Sequence, residues 1–260
     1  MIFRWGLSFE ISNSDYITAC VINNCGGNGI FALQAITKNI TRKREEKMIK
    51  IGLYNNKGGV GKSVAVINIA HTLLRMGKRV AVIDADKQMN SFHFFSDEPS
   101  KKYSGDSRYE NIEIYLAKDV YKIPNEYDYI IYDLPPALDS STKKILSKCD
   151  YVFVPIELGT FAISGIANVT DAVAATKAKL GGCFINKFDY NNPADLELDK
   201  MLRETLGDKI LTTRIPNSRV IKNSISFRQT AFEYMPWANA AELFKSLTHE
   251  IMWICGGGVT

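Results

Sequence analysis

The feature that most constrains this chain is the run Asn55-Asn56-Lys57-Gly58-Gly59-Val60-Gly61-Lys62-Ser63, together with what flanks it. Residues 49–54, just before it, have the length and apolar composition of a strand. Over residues 64–76, just after it, Val66, Ile67, Ala70, Leu73 and Leu74 recur at helical spacing, and Asn68, His71, Thr72 and Arg75 share the other face. The spacing predicts an amphipathic helix. Strand, glycine loop, Lys-Ser and helix, in that order, restrict the chain to the P-loop class of α/β folds.

The loop's composition follows from what it has to hold. Consecutive glycines let backbone N–H groups turn inward around phosphate oxygens with no Cβ in the way. The helix N-terminus behind them adds a partial charge of roughly +0.5. Gly58, Gly59, Val60, Gly61, Lys62, Ser63 and Val64 are therefore the phosphate-binding candidates, with Lys62 placed to reach the β- and γ-phosphates and the Ser63 hydroxyl to ligate Mg²⁺. The G-x-x-x-x-G-K-[ST] pattern is not met strictly, because its first glycine falls at Asn56. A second lysine, Lys57, opens the loop instead.

That loop, K-G-G-V-G-K-S, resembles the deviant Walker A motif of the ParA/MinD family of P-loop ATPases, and the resemblance runs over roughly residues 48–251. It implies that Lys57 reaches across a nucleotide-sandwich dimer to the partner's ATP. Further motifs arrive in the family's order. Residues 78–84 read as a buried parallel strand ending in Asp84-Ala85-Asp86-Lys87-Gln88-Met89-Asn90, similar to the family's D-x-D-P-Q-x-N, or switch I. The resemblance implies that Asp86 positions or activates the attacking water and that Asp84 arranges the site. Lys87 stands where proline is usual. Residues 127–133 form another strand finishing in an acid, Asp133, followed by Leu134-Pro135-Pro136. A strand-terminal aspartate beside a P-loop has the Walker B role, holding Mg²⁺ through water. The family's D-T-P-P opens switch II here, with Leu134 in place of the threonine.

Residues 139–148 read as a helix exposing Lys143, Lys144 and Lys148, and residues 150–155 as a strand. Residues 161–178 read as a helix with Ile163, Ile166, Thr170 and Val173 as its core stripe. A strand over 180–186 ends in Asn186-Lys187, and the resemblance places Asn186 at the adenine. After a helix over 195–206 and a last strand over 209–215, Pro216-Asn217-Ser218 resembles the loop that lines the adenine pocket. Arg214, Arg219, Lys222 and Arg228 then cluster, in the region through which ParA proteins bind nonspecific DNA. The closing helix, 237–255, has a core stripe of Ala240, Phe244, Leu247 and Ile251 and a single basic residue, Lys245. MinD proteins instead end in a basic amphipathic helix that binds membrane, so no stable membrane anchoring is expected. Residues 91–125 are the least readable; Phe92, Phe94 and Phe95 are expected to pack locally ahead of a polar loop over 97–106.

Composition narrows the rest. A chain of 260 residues can bury roughly three-quarters of its unfolded surface, so its core needs no staples. The net charge of +4 is too mild to announce nucleic acid without a localised patch. Five scattered cysteines, Cys20, Cys25, Cys149, Cys183 and Cys255, suggest a reducing cytosol rather than a disulfide framework. No apolar run reaches the roughly 18 residues of a membrane span. No cysteine lies between Asp133 and Thr142, where an iron-protein reductase would hold its cluster, and no tyrosine follows Tyr234, where a tyrosine autokinase of this loop type carries a cluster.

Residues 1–47 read differently from the rest, with a Gly26-Gly27-Asn28-Gly29 breaker cluster and a mixed charge run over 41–47. Met48 opens directly into the first strand, so translation is expected to start there and 1–47 to be an upstream or disordered extension; a basic arm assisting DNA binding is the rival. The expected organisation is a P-loop ATPase domain over 48–255 with a flexible tail over 256–260. The expected fold is a doubly wound, mainly parallel sheet with helices on both faces. By resemblance the chain is expected to be a cytoplasmic, nucleoid-associated partition ATPase with a weak intrinsic rate. It would take ATP and Mg²⁺, form a homodimer when ATP-bound, hold nonspecific DNA and answer to a ParB-like centromere-binding partner. The alternative is a MinD-like membrane-cycling ATPase that regulates division.

Overall fold

Among the described residues seven short apolar runs become strands, and because helical segments carry the chain back between them, these strands pair parallel. The computed structural model describes residues 48–97, 107–124, 126–159 and 162–256. The expectations for residues 1–47, including Cys20 and Cys25, for most of the 97–106 loop and for the tail beyond Gly256 lie outside the described residues. In chain order the elements are β1 (Ile49–Leu53), α1 (Lys62–Arg75), β2 (Val80–Asp84), α2 (Asn90–Phe95) and β3 (Ile112–Leu116). There follow β4 (Tyr129–Asp133), α3 (Ser140–Leu146), β5 (Tyr151–Glu157), α4 (Ala162–Ala174) and β6 (Lys179–Phe188). The chain closes with α5 (Pro193–Leu206), β7 (Ile210–Pro216), α6 (Arg219–Ser226), α7 (Ala231–Tyr234) and α8 (Asn239–Ile254).

The strand order is β3-β2-β4-β1-β5-β6-β7. The chain leaves β1 toward one side of the sheet, fills the gap with β4 and then continues on the other side, so the carboxyl ends of β1 and β4 flank a crevice where such sheets bind ligands. Alternate residues of each strand feed two cores, one on each face. Ile51, Leu53, Val80, Val82 and Ile131 pack with α1, α2 and α8. Ala81, Ile83, Ile130, Tyr132 and Val152 pack with α3, α4 and α5. Burial on both faces is why the inner strands read as continuous apolar runs.

The doubly wound parallel sheet matches the sequence expectation, and three details differ. First, residues 91–125 hold more order than their pattern suggested: α2, the edge strand β3 and a 3-10 turn over Ala117–Lys122. β3 is legible only through its partner, with Val80 opposite Ile112 and Asp84 opposite Leu116. Second, the inward stripe of α4 includes fully buried Val169, whereas Thr170 turns its hydroxyl back to the Ile166 carbonyl at 2.9 Å. Third, α1 is buried on both faces. Asn68, His71 and Thr72 are buried, and only Arg75 of that face reaches solvent.

The polar face of α1 is covered by the turn that enters α7, which supplies partners to Asn68 and His71. Asn68 Nδ2 donates to the Val64 carbonyl at 2.9 Å, and Asn68 Oδ1 accepts from the Ala231 N–H at 2.9 Å. The Thr72 hydroxyl donates to the Asn68 carbonyl at 2.7 Å. His71 Nδ1 and the Thr230 hydroxyl lie 3.2 Å apart, and Thr230 forms a capping box with Glu233. Arg75 lies over the Phe232 ring, 4.8 Å from its centroid. α8 closes the same side, its Ala240, Phe244, Leu247 and Ile251 stripe buried as expected.

Asn68→Ala orphans the Ala231 N–H in a dry site and should cost about 1–3 kcal/mol, read as a lower denaturation midpoint at unchanged m-value. Burial lowers the His71 pKa, an effect opposed by Glu233 and reinforced by Arg75 and Arg108. A histidine held neutral stabilises fully above the ordinary imidazole pKa and loses that contribution as pH falls below it, because the unfolded chain takes up the proton first. The stability advantage of the wild type over His71→Gln should therefore shrink between about pH 7.5 and about pH 5.5.

Candidate nucleotide site

The glycine loop leaves the end of β1 and is pinned at its start by Asn55, whose Nδ2 donates to the Pro155 carbonyl at 2.7 Å and whose Oδ1 accepts from the Lys57 N–H at 2.9 Å. Gly59 and Gly61 take φ values of +75° and +89°, which a side chain disfavours. A Cβ on Gly61 would also lie 2.2 Å from Asn186 Nδ2. Asn186, at the end of β6, donates through that nitrogen to the Val60 carbonyl at 2.6 Å, so the far strand braces the loop. Gly61 caps α1 without a side-chain hydrogen bond, which leaves the first N–H groups of the helix facing the loop's concave side.

Lys62 is 7 % exposed and folds over the loop, donating to the carbonyls of Asn55 at 3.3 Å and Lys57 at 3.4 Å. Burial lowers its pKa, and Asp133 and Asp86 hold it up. Lys57 is different. Its side chain is 60 % exposed and lies 3.7 Å from Glu157 Oε2, which Lys187 also approaches at 3.3 Å.

Three acids face the loop. Asp84 and Asp133 sit in register at the ends of neighbouring β2 and β4. Asp84 accepts from the N–H groups of Asp86 at 3.0 Å and Phe92 at 2.8 Å, and burial, then the charge of Asp133, pushes its pKa up to about 7. Asp133 is 1 % exposed, and its Oδ2 accepts from the Ser91 hydroxyl at 2.6 Å. Burial raises its pKa, while Ser91, Ser63 and Lys62 pull it back down. Asp133 Oδ1 is buried without a hydrogen-bond partner. An orphaned carboxylate oxygen beside the Ser63 hydroxyl fits a hard divalent cation, so Ser63 and Asp133 are suited to hold Mg²⁺. Asp86 is half-buried, and its Oδ1 accepts from the Gln88 N–H at 3.0 Å. The Met89 N–H closes a turn onto the Asp86 carbonyl at 3.0 Å, placing Lys87 at the second position of that turn, where a proline's fixed φ is favoured but not required. Leu134, which replaces the family's threonine, is fully buried in the second core.

The loop, both switches and α6 enclose a cleft of about 860 Å³, lined among others by Lys62, Ser63, Asp86, Pro135, Pro136 and Arg228. Of the residues singled out from sequence, Gly58, Gly59, Gly61, Lys62, Ser63, Val64 and Asp86 line this cleft; Lys57, Val60, Asp133 and Asn186 do not, Asp133 being buried at the end of β4 and Asn186 bracing the Val60 carbonyl from β6. Pro216 ends β7 beside Phe188, outside the residues that line the cleft. Arg214, within β7, and the three cations after it do not share one face. Arg214 is bound to Asp199 at 2.5 and 2.9 Å, and the Arg228 guanidinium turns inward to backbone carbonyls. Arg219 and Lys222 are exposed on α6. Sequence reasoning gave no role to Asn55, at the head of the glycine run, or to Ser91 and Glu157, because each acts through a contact with a distant segment.

Residues 51–231 match the family described as the CobQ/CobB/MinD/ParA nucleotide binding domain. The chain belongs to this family. The chromosome-partitioning ATPase Soj of Thermus thermophilus is 26% identical over 239 residues, covering 79% of this chain and 96% of that protein. In structure, MinD from Pyrococcus horikoshii, solved with Mg-ADP, superposes with a TM-score of 0.66 at 16% identity, covering 78% of this chain and 96% of the other. A Cyanothece McdA–ATP complex gives 0.68 at 14%, covering 82% and 98%. ParA and MinD members of the family are ATPases, and this chain is an ATPase of that type.

Gly61→Ala should weaken nucleotide binding about tenfold or more, since the new methyl strains a left-handed residue and displaces Asn186. Titration with a fluorescent ATP analogue checks it, with an unchanged circular dichroism spectrum as the control for folding.

Proposed function

We propose that this ATPase is a partition ATPase that dimerises on ATP, with Lys57 serving the partner's nucleotide, and that the dimer holds DNA nonspecifically until a ParB-like partner stimulates hydrolysis. The observation that carries the reading is the division of labour between two lysines. Lys62 is buried over its own loop, whereas Lys57, at the start of that loop, is exposed and paired with Glu157. An exposed lysine is available to a second copy; a buried one is not.

In the proposed reaction the glycine loop and the N-terminus of α1 bind the phosphates, and Lys62 exchanges the carbonyls of Asn55 and Lys57 for phosphate oxygens. Mg²⁺, held by Ser63 and Asp133, would neutralise charge on the β- and γ-phosphates. Asp86 orients the attacking water and accepts its proton. Asp84 fixes the Asp86 backbone and the start of α2 through its two accepted hydrogen bonds. Asn186 holds the loop's shape from β6 and stands by for the base.

Charge on the outer face supports the DNA part through Arg219 and Lys222, because Arg214 and Arg228 are engaged internally. The apolar stripe of α8 is consumed by the core, which counts against the membrane-cycling alternative. Among the described residues no helix is long and apolar enough to cross a membrane.

The test is cosedimentation of the protein with duplex DNA and, separately, anionic vesicles, each with ATP·Mg²⁺, ADP or no nucleotide. ATP-dependent, salt-sensitive pelleting with DNA is expected, and the double variant Arg219→Ala/Lys222→Ala should flatten the log K against log salt slope by about 2. Pelleting with vesicles and not DNA would overturn the reading. Asp86→Ala should slow phosphate release by about 100-fold or more while ATP-dependent dimerisation persists in gel filtration; unchanged release would remove Asp86 from the mechanism.

A further inference from the structure

Arg228 immediately follows α6 and its cap residue, and it adopts a φ of +52°. Its N–H donates to the Ile225 carbonyl at 3.0 Å and the Gln229 N–H donates to the Ser224 carbonyl at 2.8 Å, the two bonds of a Schellman turn. Glycine is the default residue at the left-handed position of such a turn, because a Cβ there crowds the backbone. An arginine in that place is strained, and what it adds over glycine is a side chain.

That side chain, half-buried beside the cleft, reaches the end of α2. Its Nη2 donates to the carbonyls of Phe94 at 3.1 Å and Ser96 at 2.6 Å, the last carbonyls of α2 and of the residue beyond it. The Arg228 carbonyl in turn accepts from the Arg108 guanidinium, which lies over the Phe94 ring, 4.9 Å from its centroid. The C-terminal end of α2 is thus clamped to the end of α6.

The other end of α2 holds the nucleotide acids. Ser91 donates to Asp133, and the Phe92 N–H donates to Asp84. α2 is only six residues long, so the donors to the two acids and the carbonyls that Arg228 grips lie within two helical turns of each other. On the far side of the clamp, α6 exposes Arg219, Lys222, Asn223, Ser226 and Phe227, spaced three and four apart on one face. Phe227 is 67 % exposed and stacks on Tyr234 at 5.8 Å.

We infer that Arg228 is a positioning residue that couples α2 to α6, so that the state of the nucleotide at Asp84 and Asp133 sets the position of the exposed face of α6. The inference rests on the nucleotide site and not on DNA being what α6 binds. By linkage, whatever occupies α6 biases the two acids by the same coupling free energy.

The experiment is hydrogen–deuterium exchange of the full chain with and without ATP·Mg²⁺, for the wild type and Arg228→Gly. Glycine suits the left-handed turn, so this variant removes the Arg228 guanidinium from the Phe94 and Ser96 carbonyls, leaves the Arg108 contact with the residue 228 carbonyl, and keeps the backbone that the fold requires. In the wild type, nucleotide should change exchange in peptides covering both 90–96 and 219–227. In Arg228→Gly the change over 90–96 should remain and that over 219–227 should fall severalfold. A response over 219–227 equal to that of the wild type would overturn the inference, as would a wild type in which only 90–96 responds. The readout uses no DNA, so a protein that binds no DNA leaves it intact. Loss of all nucleotide binding in isothermal titration of the wild type would instead sink the nucleotide site, and the coupling with it.

Discussion

Two carboxylates buried side by side are the constraint around which this molecule is arranged. Asp84 and Asp133 end adjacent strands in register, at the crevice where the sheet's connections diverge. Charged groups removed from water are costly unless they are compensated. Here the compensation is assembled from five residues: the Phe92 and Asp86 N–H groups, the Ser91 hydroxyl, Ser63 and Lys62. Even so, Asp84 titrates near neutrality and one oxygen of Asp133 has no hydrogen-bond partner. A site left partly unsatisfied in this way is poised to gain from a cation and from a lysine that turns toward phosphate.

The same constraint explains why α2 matters despite its length. Its first turn supplies donors to both acids, and its last carbonyls are held by Arg228. The loop on the other side of the cleft is fixed with comparable care. Asn55 ties its start to β5, and Asn186 ties its apex to β6. Binding groups that are fixed in advance lose little freedom when the ligand arrives, which is how a small number of contacts can hold a polyphosphate. Polar side chains thus do much of the positioning, inside a sheet whose two faces are otherwise packed with aliphatic and aromatic residues.

The strand–glycine loop–helix unit and the buried strands that end in Asp84 and Asp133 were legible because each depends on local rules. A left-handed backbone needs glycine, a doubly buried strand needs a continuous apolar run, and an acid at a strand end follows from the length of that run. β3 was not legible, since an edge strand of five residues has little pattern of its own until β2 lies beside it. Thr170 was assigned to the core from periodicity, but its hydroxyl found the Ile166 carbonyl and Val169 took the buried place.

The sequence alone determined the chemistry at the loop: which residues can cradle phosphate, which can carry charge to it and which helix must follow. Tertiary structure alone decided which polar side chains are available. Asn68, His71 and Thr72 looked like a solvated face and became an internal network, because Thr230 and Ala231 arrive from about 160 residues away to cover them. Arg214 and Arg228 looked equivalent to Arg219 and Lys222, yet Asp199 and the end of α2 claim the first two. Burial and pairing are set by neighbours that are distant in the chain, and no local pattern encodes which of them will come.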